Sequence, residues 1–348
     1  MSTYQSNFFD LADRLNVLTR LQDPLVDLKR VVDFELFRPI INAAGAQSGS
    51  STAGRKGFDA VFMFKILIIQ RLYNLSDEQA EYQINDRYSF QRFLGMSPSC
   101  TVPDFSTVWR FRQKLTDANA IKPLFDTFTK FLEDKGVITK VGTIIDASFV
   151  EVPRQRNTRE ENELIKNGEV PKAWLNHPSK LAQKDTDARW TKKNDETFFG
   201  YKNHVLADAE SGHITDYAVT DAAVHDSQPF PDLVKNVASG EALFADSAYT
   251  SAKTDTQLQE QGVQNFVHAK AARNRPLTKL QIELNRLKSQ IRCRIEHIFG
   301  CVENSMGGPE LEYIGILRNS TGIGLSNLTY NILHYVRSVK KTEVMAMA

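Results

Sequence analysis

Three acidic residues, far apart in the chain, stand where an isolated charge is costly unless something binds it. Asp146 interrupts a β-branched apolar run at 141–152, and Asp246 ends a short apolar run. Glu296 lies beside an apolar stripe in a predicted helix. Carboxylate oxygens that converge on one point are the ligands that two-metal phosphodiester chemistry needs. The three positions therefore predict a metal site suited to that chemistry.

Arg292 lies one helical turn before Glu296, on the same side of the predicted helix. One helix can therefore bring a carboxylate to the metal site and a guanidinium to a phosphate. Asp226 is a competing acid, but its position in Val-His-Asp-Ser favours a role as the cap of the following helix. A single buried Asp is more often structural than functional, so the hypothesis depends on the three acids together.

The elements that must position these residues change character near residue 137. Before it, apolar residues recur at helical spacing, most strongly from Gly57 to Tyr73. After it, short β-branched runs alternate with helical ones, and Glu210-Ser211-Gly212 indicates a hairpin turn. A long helix is expected from about Leu277 to Val302.

The predicted order after residue 136 is three strands, helix, strand, helix, strand and long helix. This is the order of an RNase H-like α/β core, in which helices flank a mixed sheet. We therefore predict an all-α N-terminal domain at 1–136 and an RNase H-like catalytic domain at 137–340. The highly charged residues at about 153–197 are predicted to form a polar excursion from the core. Trp174 and Trp190 within it either anchor the segment to the core, the more common role, or stack on DNA bases.

Composition places the chain among ordinary globular proteins. Its 348 residues are 41% hydrophobic and 24% charged, with a net charge of +1. Three cysteines without a C-x-x-C pair indicate neither a disulfide framework nor a zinc site. The first residues lack the features of a signal peptide, and the longest apolar run is too short to span a membrane. We therefore expect a cytoplasmic protein without a membrane partner.

A strongly basic segment leads into the predicted catalytic helix. Between Asn265 and Arg294 there are eight Lys or Arg and a single acid, Glu283. Such a segment suits a DNA phosphate backbone. The alternative interpretation is a solvated helix face. It is weakened because the acids that would balance this positive charge lie elsewhere in the chain. The candidate DNA contacts here are Lys270, Arg273, Arg275, Lys279, Lys288 and Arg294.

A weaker candidate for DNA binding is the helix that Asp104 is predicted to cap. Phe105 and Trp109 contribute to its predicted apolar face. The helix either reads a DNA groove, as in a helix-turn-helix protein, or serves only in packing or dimerisation, and the pattern favours neither. Its exposed side is predicted to carry Arg110, Arg112 and Lys114.

Several short motifs, taken in order, give the chain a resemblance to a known family. The helical half contains GRKGFDAVFMFKILIIQRLYNLSDEQ and VPDFSTVWRFRQKL. The second half contains IIDASFV, FFGYKNHVLADAESG, AVTDAAVHDSQ, LFADSAYTS and RCRIEHIFG. Together these motifs resemble the insertion-sequence transposases of the DDE class, specifically the IS-five group. The resemblance favours recognition of DNA ends as the role of the N-terminal helices.

The resemblance implies that Asp146, Asp246 and Glu296 are the three metal-binding acids. It also implies that Arg292 is the arginine of the family's tyrosine–arginine–glutamate–lysine signature. Ser289 stands at the tyrosine position and Glu303 at the lysine position, so neither of those two roles carries over to this chain. Arg294 and Lys288 are candidates for the DNA contact that the missing lysine would make.

For function, the resemblance implies a transposase that binds the terminal inverted repeats of an insertion sequence, cleaves DNA strands and transfers 3′-hydroxyl ends to target DNA. The implied cofactor is a pair of Mg²⁺ ions, with Mn²⁺ as a substitute. The implied partners are double-stranded DNA, namely the terminal inverted repeats and the target DNA, and further copies of the chain in a synaptic complex. When bound to DNA, the protein would be associated with the nucleoid.

Three alternatives remain at this stage. One is an RNase H-like nuclease without strand transfer, and another is a DNA-binding regulator derived from a transposase. The third is a two-carboxylate glycosidase, which accounts for neither the basic segment nor a third acid on a helix.

Overall fold

The computed structural model describes residues 10–45, 57–97, 100–193, 195–273, 275–306 and 311–347. The N-terminal residues that argue against a signal peptide lie mostly outside these ranges, as do Gly54, Arg55 and Lys56 of the first motif. The chain divides into two compact units, Met1–Ala120 with Thr329–Ala348, and Ile121–Leu328. Across the described ranges, no helix has both the length and the apolar character needed to cross a membrane.

The first unit is helical, as its periodicity predicts. Its central helix begins at Asp59, whose side chain accepts hydrogen bonds from two backbone amides of the first turn, and ends at Asn74 in the left-handed conformation. Nine residues of that helix are buried, on most of its faces. The helices of this unit are α1 (Asp10–Arg20), α2 (Pro24–Val31), α3 (Arg38–Ala43), α4 (Ala60–Tyr73), α5 (Asp77–Asp86), α6 (Tyr88–Leu94) and α7 (Phe105–Asp117).

The second unit is built on a six-stranded sheet. Its strands are β1 (Gly142–Glu151), β2 (Arg189–Lys193), β3 (Glu196–Asp208), β4 (Ile214–Asp221), β5 (Ala242–Phe244) and β6 (Gln264–Asn265). Its helices are α8 (Ile121–Asp134), α9 (Arg159–Lys166), α10 (Lys172–Leu175), α11 (Pro178–Leu181), α12 (Phe230–Leu233), α13 (Ala252–Gln261), α14 (Lys279–Arg292) and α15 (Arg294–Ser305). A final helix, α16 (Ile316–Met347), contributes its residues up to Leu328 to this unit.

The strand order confirms an RNase H-like core. β3 is antiparallel to β1 and also to β2 and β4, which pair with successive parts of it. On the other side of β1, β5 and then β6 run parallel to it. The predicted hairpin between β3 and β4 is present, and Gly212 in its turn has a φ of 72°. β2 is a strand that the sequence pattern did not predict.

Each face of the sheet has its own apolar core, because successive strand residues point to opposite faces. One core contains Ile145 and Leu206 together with side chains from α12 and α13. The other contains Val150, Tyr201 and Ile323. β1 therefore lies between two packed layers, which fixes the position of any side chain that it carries.

A close approach of β1 and β3 requires glycine at position 200. Gly200 has a φ of +149°, and a Cβ added there would lie 2.2 Å from the carbonyl oxygen of Val150. No side chain fits at that distance. The glycine therefore allows the two central strands to stay paired along their length.

The two compact units differ from the predicted division at residue 136. The amphipathic helix α8 belongs to the sheet unit, since Phe125 packs edge-on against Tyr217 of β4 at 4.9 Å and Lys122 pairs with Asp216 at 3.0 Å. Residues from Thr329 onward belong to the helical unit. There the end of α16 is held to α2 by ion pairs, among them Lys340 with Asp27 at 2.6 Å.

The predicted polar excursion contains α9, α10, α11 and β2. Trp174 is fully buried and its Nε1 donates a hydrogen bond to Glu161 at 2.6 Å. Its ring also meets Lys180 and Lys184, so Trp174 packs within the excursion, and its role as an anchor to the core stays a prediction. Trp190 is 42% exposed, and its ring lies 4.9 Å from that of Phe199.

Candidate active site

Asp146 lies in the middle of β1, opposite Val205 of β3. Its Oδ1 accepts a hydrogen bond from the Ala147 amide at 2.8 Å, and its Oδ2 accepts one from Nη1 of Arg292 at 2.6 Å. Burial raises the pKa of the Asp146 carboxyl, the Arg292 charge lowers it, and the charge of Asp246 raises it further. The carboxyl is therefore held in an environment that favours a neighbouring cation.

Asp246 lies just beyond β5, at the position that corresponds to Asp146. Ile144 pairs with Phe244 in the parallel register, and each acid lies two residues further along its strand. Asp246 also caps the 3-10 turn Ser247–Tyr249, where its Oδ1 accepts a hydrogen bond from the Ala248 amide at 2.7 Å. The parallel register thus places two acids, 100 residues apart in sequence, at matching positions, Asp146 within β1 and Asp246 just beyond β5.

Glu296 lies on α15, and its side chain is 66% exposed. Nη2 of Arg292 lies 3.9 Å from its Oε1. Arg292 therefore stands between Asp146 and Glu296. The single long helix expected from Leu277 to Val302 is wrong, because α14 ends at Arg292 and α15 begins at Arg294.

The donor set is oxygen-only, as hard divalent cations require. Even so, no group of three or more His, Cys, Asp or Glu among the described residues is placed to hold a metal ion. The three acids do not form such a group because Arg292 contacts Asp146 and because Glu296 extends toward solvent. The three acids are thus brought to one region but do not form a closed ligand set.

The sequence did not single out Tyr249, which lies next to these acids. The tyrosine is fully buried, and its hydroxyl has no hydrogen-bond partner among the described residues. Burial raises its pKa, and the charges of Asp146, Asp226 and Asp246 raise it further. The sequence feature that could have identified Tyr249 is its position three residues after Asp246.

Asp226 does not cap a helix, so that interpretation is wrong. It accepts a hydrogen bond from Nζ of Lys202 at 2.8 Å, and Lys202 also donates to the Val224 carbonyl. His204 is fully buried nearby, and burial lowers its pKa to about 4. This acid is therefore already paired with a lysine of β3.

The basic segment separates into two sets of side chains. Lys288 is half-buried and donates to the Val267 carbonyl at 2.8 Å, and burial lowers its pKa. Arg294 donates to the Ala209 carbonyl. These two predicted DNA contacts therefore bind the backbone of their own fold. The exposed set is Lys270, Arg273, Arg275 and Lys279.

On α7 the predicted exposed side is wrong for one residue. Arg110 and Lys114 are exposed, but Arg112 is buried and makes a bidentate ion pair with Asp77 of α5 at 2.7 and 2.9 Å. Phe105 and Trp109, expected on the apolar face, are 48% and 44% exposed. The helix is rotated from the predicted orientation because the arginine, rather than these rings, packs inward.

An RNase H-like sheet that carries acids at matching positions of neighbouring parallel strands, beside a helix with a third acid, defines the class of metal-dependent DNA-processing cores. The family described as Transposase DDE domain matches residues 138–332, and that described as Transposase domain (DUF772) matches residues 13–114. The chain therefore belongs to the insertion-sequence DDE transposases. It is a DNA transposase of a family whose enzymes depend on divalent metal.

Among solved structures, the chain is similar to the piggyBac transposase, determined by cryo-EM as a synaptic complex with hairpin DNA. The two are 12% identical, with a TM-score of 0.46, and the match covers 92% of this chain and 76% of the other.

Proposed function

We propose that the chain binds the terminal inverted repeats of its element, cleaves DNA strands there and transfers the 3′-hydroxyl ends to target DNA, with magnesium as cofactor. The observation that carries this proposal is the matched placement of Asp146 and Asp246 on neighbouring strands, with Arg292 between Asp146 and Glu296. Membership of the IS-five group remains a prediction.

Asp146, Asp246 and Glu296 would hold two magnesium ions, with manganese as a substitute, because all their donor atoms are carboxylate oxygens. Ions bound there supply charge stabilisation and a nucleophile for phosphoryl transfer. Arg292 already places a positive charge against Asp146, which supports a site made for cations. Glu296 is largely exposed and has the freedom to turn toward the other two acids.

Arg292 would exchange its carboxylate partner for a phosphate of the DNA end. A guanidinium presents paired N–H donors that match phosphate as well as carboxylate geometry. Its Nη2 lies 3.9 Å from Oε1 of Glu296, beyond hydrogen-bond distance, so a donor remains for this purpose. In this role Arg292 positions the scissile phosphate beside the acids.

The exposed cations Lys270, Arg273, Arg275 and Lys279 would follow the DNA backbone toward the site. Arg110 and Lys114 of α7 would contact the DNA ends. The helical unit, Met1–Ala120 with Thr329–Ala348, would then serve in end recognition and oligomerisation, and the sheet unit, Ile121–Leu328, in catalysis. The proposal includes assembly of several copies on DNA and a cytoplasmic, nucleoid-associated location.

The test is cleavage of a labelled duplex that carries the terminal repeat, in magnesium. Asp246→Asn and Glu296→Gln should each abolish cutting, while binding to the duplex, measured by fluorescence anisotropy, stays measurable. Glu303→Gln is the matched control, since Glu303 is an exposed acid on the same helix, and it should cut normally. If either site variant still cuts, the role given to that residue is wrong.

Pre-cut ends and a target plasmid distinguish the remaining alternatives. A transposase joins the ends to the plasmid, whereas a nuclease with the same core only cuts. A regulator derived from a transposase would bind the ends without cutting, and Asp246→Asn would leave its function unchanged.

A further inference from the structure

His268 lies in a backbone segment that is hydrogen-bonded on two sides. On one side, its amide donates to the Ala245 carbonyl at 3.0 Å, and the Thr250 hydroxyl donates to its carbonyl at 2.7 Å. On the other side, Asn285 of α14 exchanges hydrogen bonds with the backbone of Ala269 at 2.9 and 3.0 Å. The backbone of His268 is therefore fixed between the end of β5 and α14.

The imidazole ring of His268 is partly exposed and lies beside the candidate active site. Ala245, which accepts the hydrogen bond from its amide, immediately precedes Asp246. Nε2 of the ring lies 3.4 Å from the hydroxyl of Ser289, which precedes Arg292 by three residues on α14. Residues three apart share one side of a helix. The ring therefore lies on the side of α14 that carries Arg292, next to the strand end that carries Asp246.

The surroundings of the ring favour its neutral form. Burial lowers the pKa of His268, as do the charges of two neighbouring cations, Arg292 and Lys288. The charge of Asp246 acts in the opposite direction. When the Ser289 hydroxyl donates to Nε2, the ring proton is on Nδ1. Nδ1 makes no hydrogen bond to any residue that the structure describes, so this N–H is available to a ligand.

An N–H donor among cations suits an anionic ligand. Lys270 and Arg273, both exposed, follow His268 along the chain by two and five residues. Uncharged side chains, as well as Lys and Arg, make many of the hydrogen bonds by which proteins hold DNA phosphates. A phosphate of the DNA backbone is therefore the anion that this group of residues fits.

We propose that His268 donates a hydrogen bond from Nδ1 to a DNA phosphate next to the cleavage site, and that Ser289 holds the ring in the orientation for it. This contact rests on the proposed function, in which a DNA end occupies the site. His268 is then the innermost of a row of phosphate contacts that continues outward with Lys270 and Arg273. It differs from those two because it contributes a directed hydrogen bond without a charge.

The first experiment measures binding of the full chain to a terminal-repeat duplex by fluorescence anisotropy, at about pH 8 and without divalent metal. The ring is uncharged there, since the ordinary pKa of histidine is about 6.5. His268→Ala should weaken binding about tenfold at every salt concentration, as expected for one hydrogen bond to a charged group. The slope of log K against log salt should not change, because a neutral donor releases no counterion.

Two control variants frame this result. Lys270→Ala removes a charge, so its slope should become less negative by about 0.9. His177→Ala removes an exposed histidine from the same unit of the chain and should change neither the affinity nor the slope. The hydrogen bonds that fix the His268 segment are made by its backbone, so His268→Ala leaves them in place.

The second experiment identifies the phosphate. Each duplex carries one methylphosphonate, at successive positions around the cleavage site, which removes one charged oxygen. At one position the wild type should lose about tenfold more affinity than His268→Ala does. This coupling separates a phosphate contact from a structural role, because a variant that is only less stable loses affinity independently of the position. His268→Asn keeps an N–H donor near the place of Nδ1 and should recover part of the coupling.

Ser289→Ala tests the positioning role of the serine. The ring then loses one hydrogen bond but keeps its place, because the backbone of His268 stays fixed. Binding should weaken about threefold, and the coupling should remain at the same phosphate. An affinity equal to that of the wild type would exclude Ser289 from this role.

Wild-type affinity in His268→Ala would overturn the His268 contact. A loss without coupling at any methylphosphonate position, or a change in slope as large as that of Lys270→Ala, would also overturn it. Magnesium-dependent cutting of the same duplex is measured in parallel. A wild type that shows the coupling but never cuts contradicts the proposed activity alone, and one that cuts without the coupling contradicts the His268 contact alone. A wild type that does not bind the duplex contradicts both.

Discussion

Two Arg–Asp pairs, one in each unit of the chain, look alike and differ in what surrounds them. Arg112 of α7 and Asp77 of α5 form a closed pair with two short hydrogen bonds, and Gln70 donates to the same carboxylate at 2.7 Å. Arg292 makes one short bond to Asp146, and its other partner, Glu296, is 3.9 Å away and exposed.

The difference separates a structural ion pair from an adaptable one. Every oxygen of Asp77 is engaged by residues of the same helical unit, so Arg112 has no reason to leave it. Nη2 of Arg292 lies beyond hydrogen-bond distance of Glu296, and the Glu296 side chain is 66% exposed. A DNA phosphate can therefore compete for Arg292 but not for Arg112, and three variants test this contrast.

The largest effect is expected for Arg292→Ala. Loss of a positioned donor to the reacting phosphate should slow cleavage about 10²- to 10³-fold, while binding to the terminal-repeat duplex changes little. Single-turnover cleavage in magnesium measures it. Arg286→Ala, on the exposed edge of the same helix, should cut at close to the normal rate. A wild-type rate for Arg292→Ala would remove the distinction between the two pairs.

The next effect is on stability. Arg112→Ala leaves Asp77 without its cation in a largely buried place, which should lower the free energy of unfolding by about 3 kcal/mol. Urea denaturation measures it. Arg110→Ala is the control, because Arg110 is exposed and, among the described residues, bonds only within its own helix, to Ser106. An equal, small change in the free energy of unfolding of both variants would mean that the Arg112–Asp77 pair contributes little to stability.

The smallest effect is expected for the exposed cations. Changing Lys270, Arg273 and Arg275 together to alanine should weaken duplex binding about tenfold, and the slope of log K against log salt should become less negative by about 0.9 for each lost phosphate contact. Anisotropy titrations at several salt concentrations measure both. An unchanged slope would show that these three side chains do not meet phosphate.

Much of the fold is visible in the sequence because it depends on local signals. Ser76 and Gln79, three residues apart, form the capping box that this spacing indicates, and the predicted hairpin at Glu210-Ser211-Gly212 joins two strands. The apolar runs that precede Asp146 and Asp246 also gave the strands that carry the two acids. β2 was missed because its sequence, RWTKK, has no apolar alternation.

Side-chain partners are less visible, because they come from distant parts of the chain. Nothing near Arg112 in sequence indicates that Asp77 buries it, and nothing near Arg294 indicates the Ala209 carbonyl. The same holds for Asp226, which pairs with Lys202 across 24 residues. Candidate DNA contacts chosen by charge alone therefore included residues that the fold uses internally.

The sequence by itself determined the residue types at the site, the elements that carry them and the excess of positive charge before the last acid. Only the tertiary structure decided that Ile144 pairs with Phe244, which aligns Asp146 with Asp246, and that Arg292 lies between Asp146 and Glu296. Local propensities act over a few residues, whereas strand register and ion pairing join distant positions, such as Asp146 and Arg292, which are 146 residues apart. Residues so far apart in sequence come together only when the apolar cores on both faces of the sheet form.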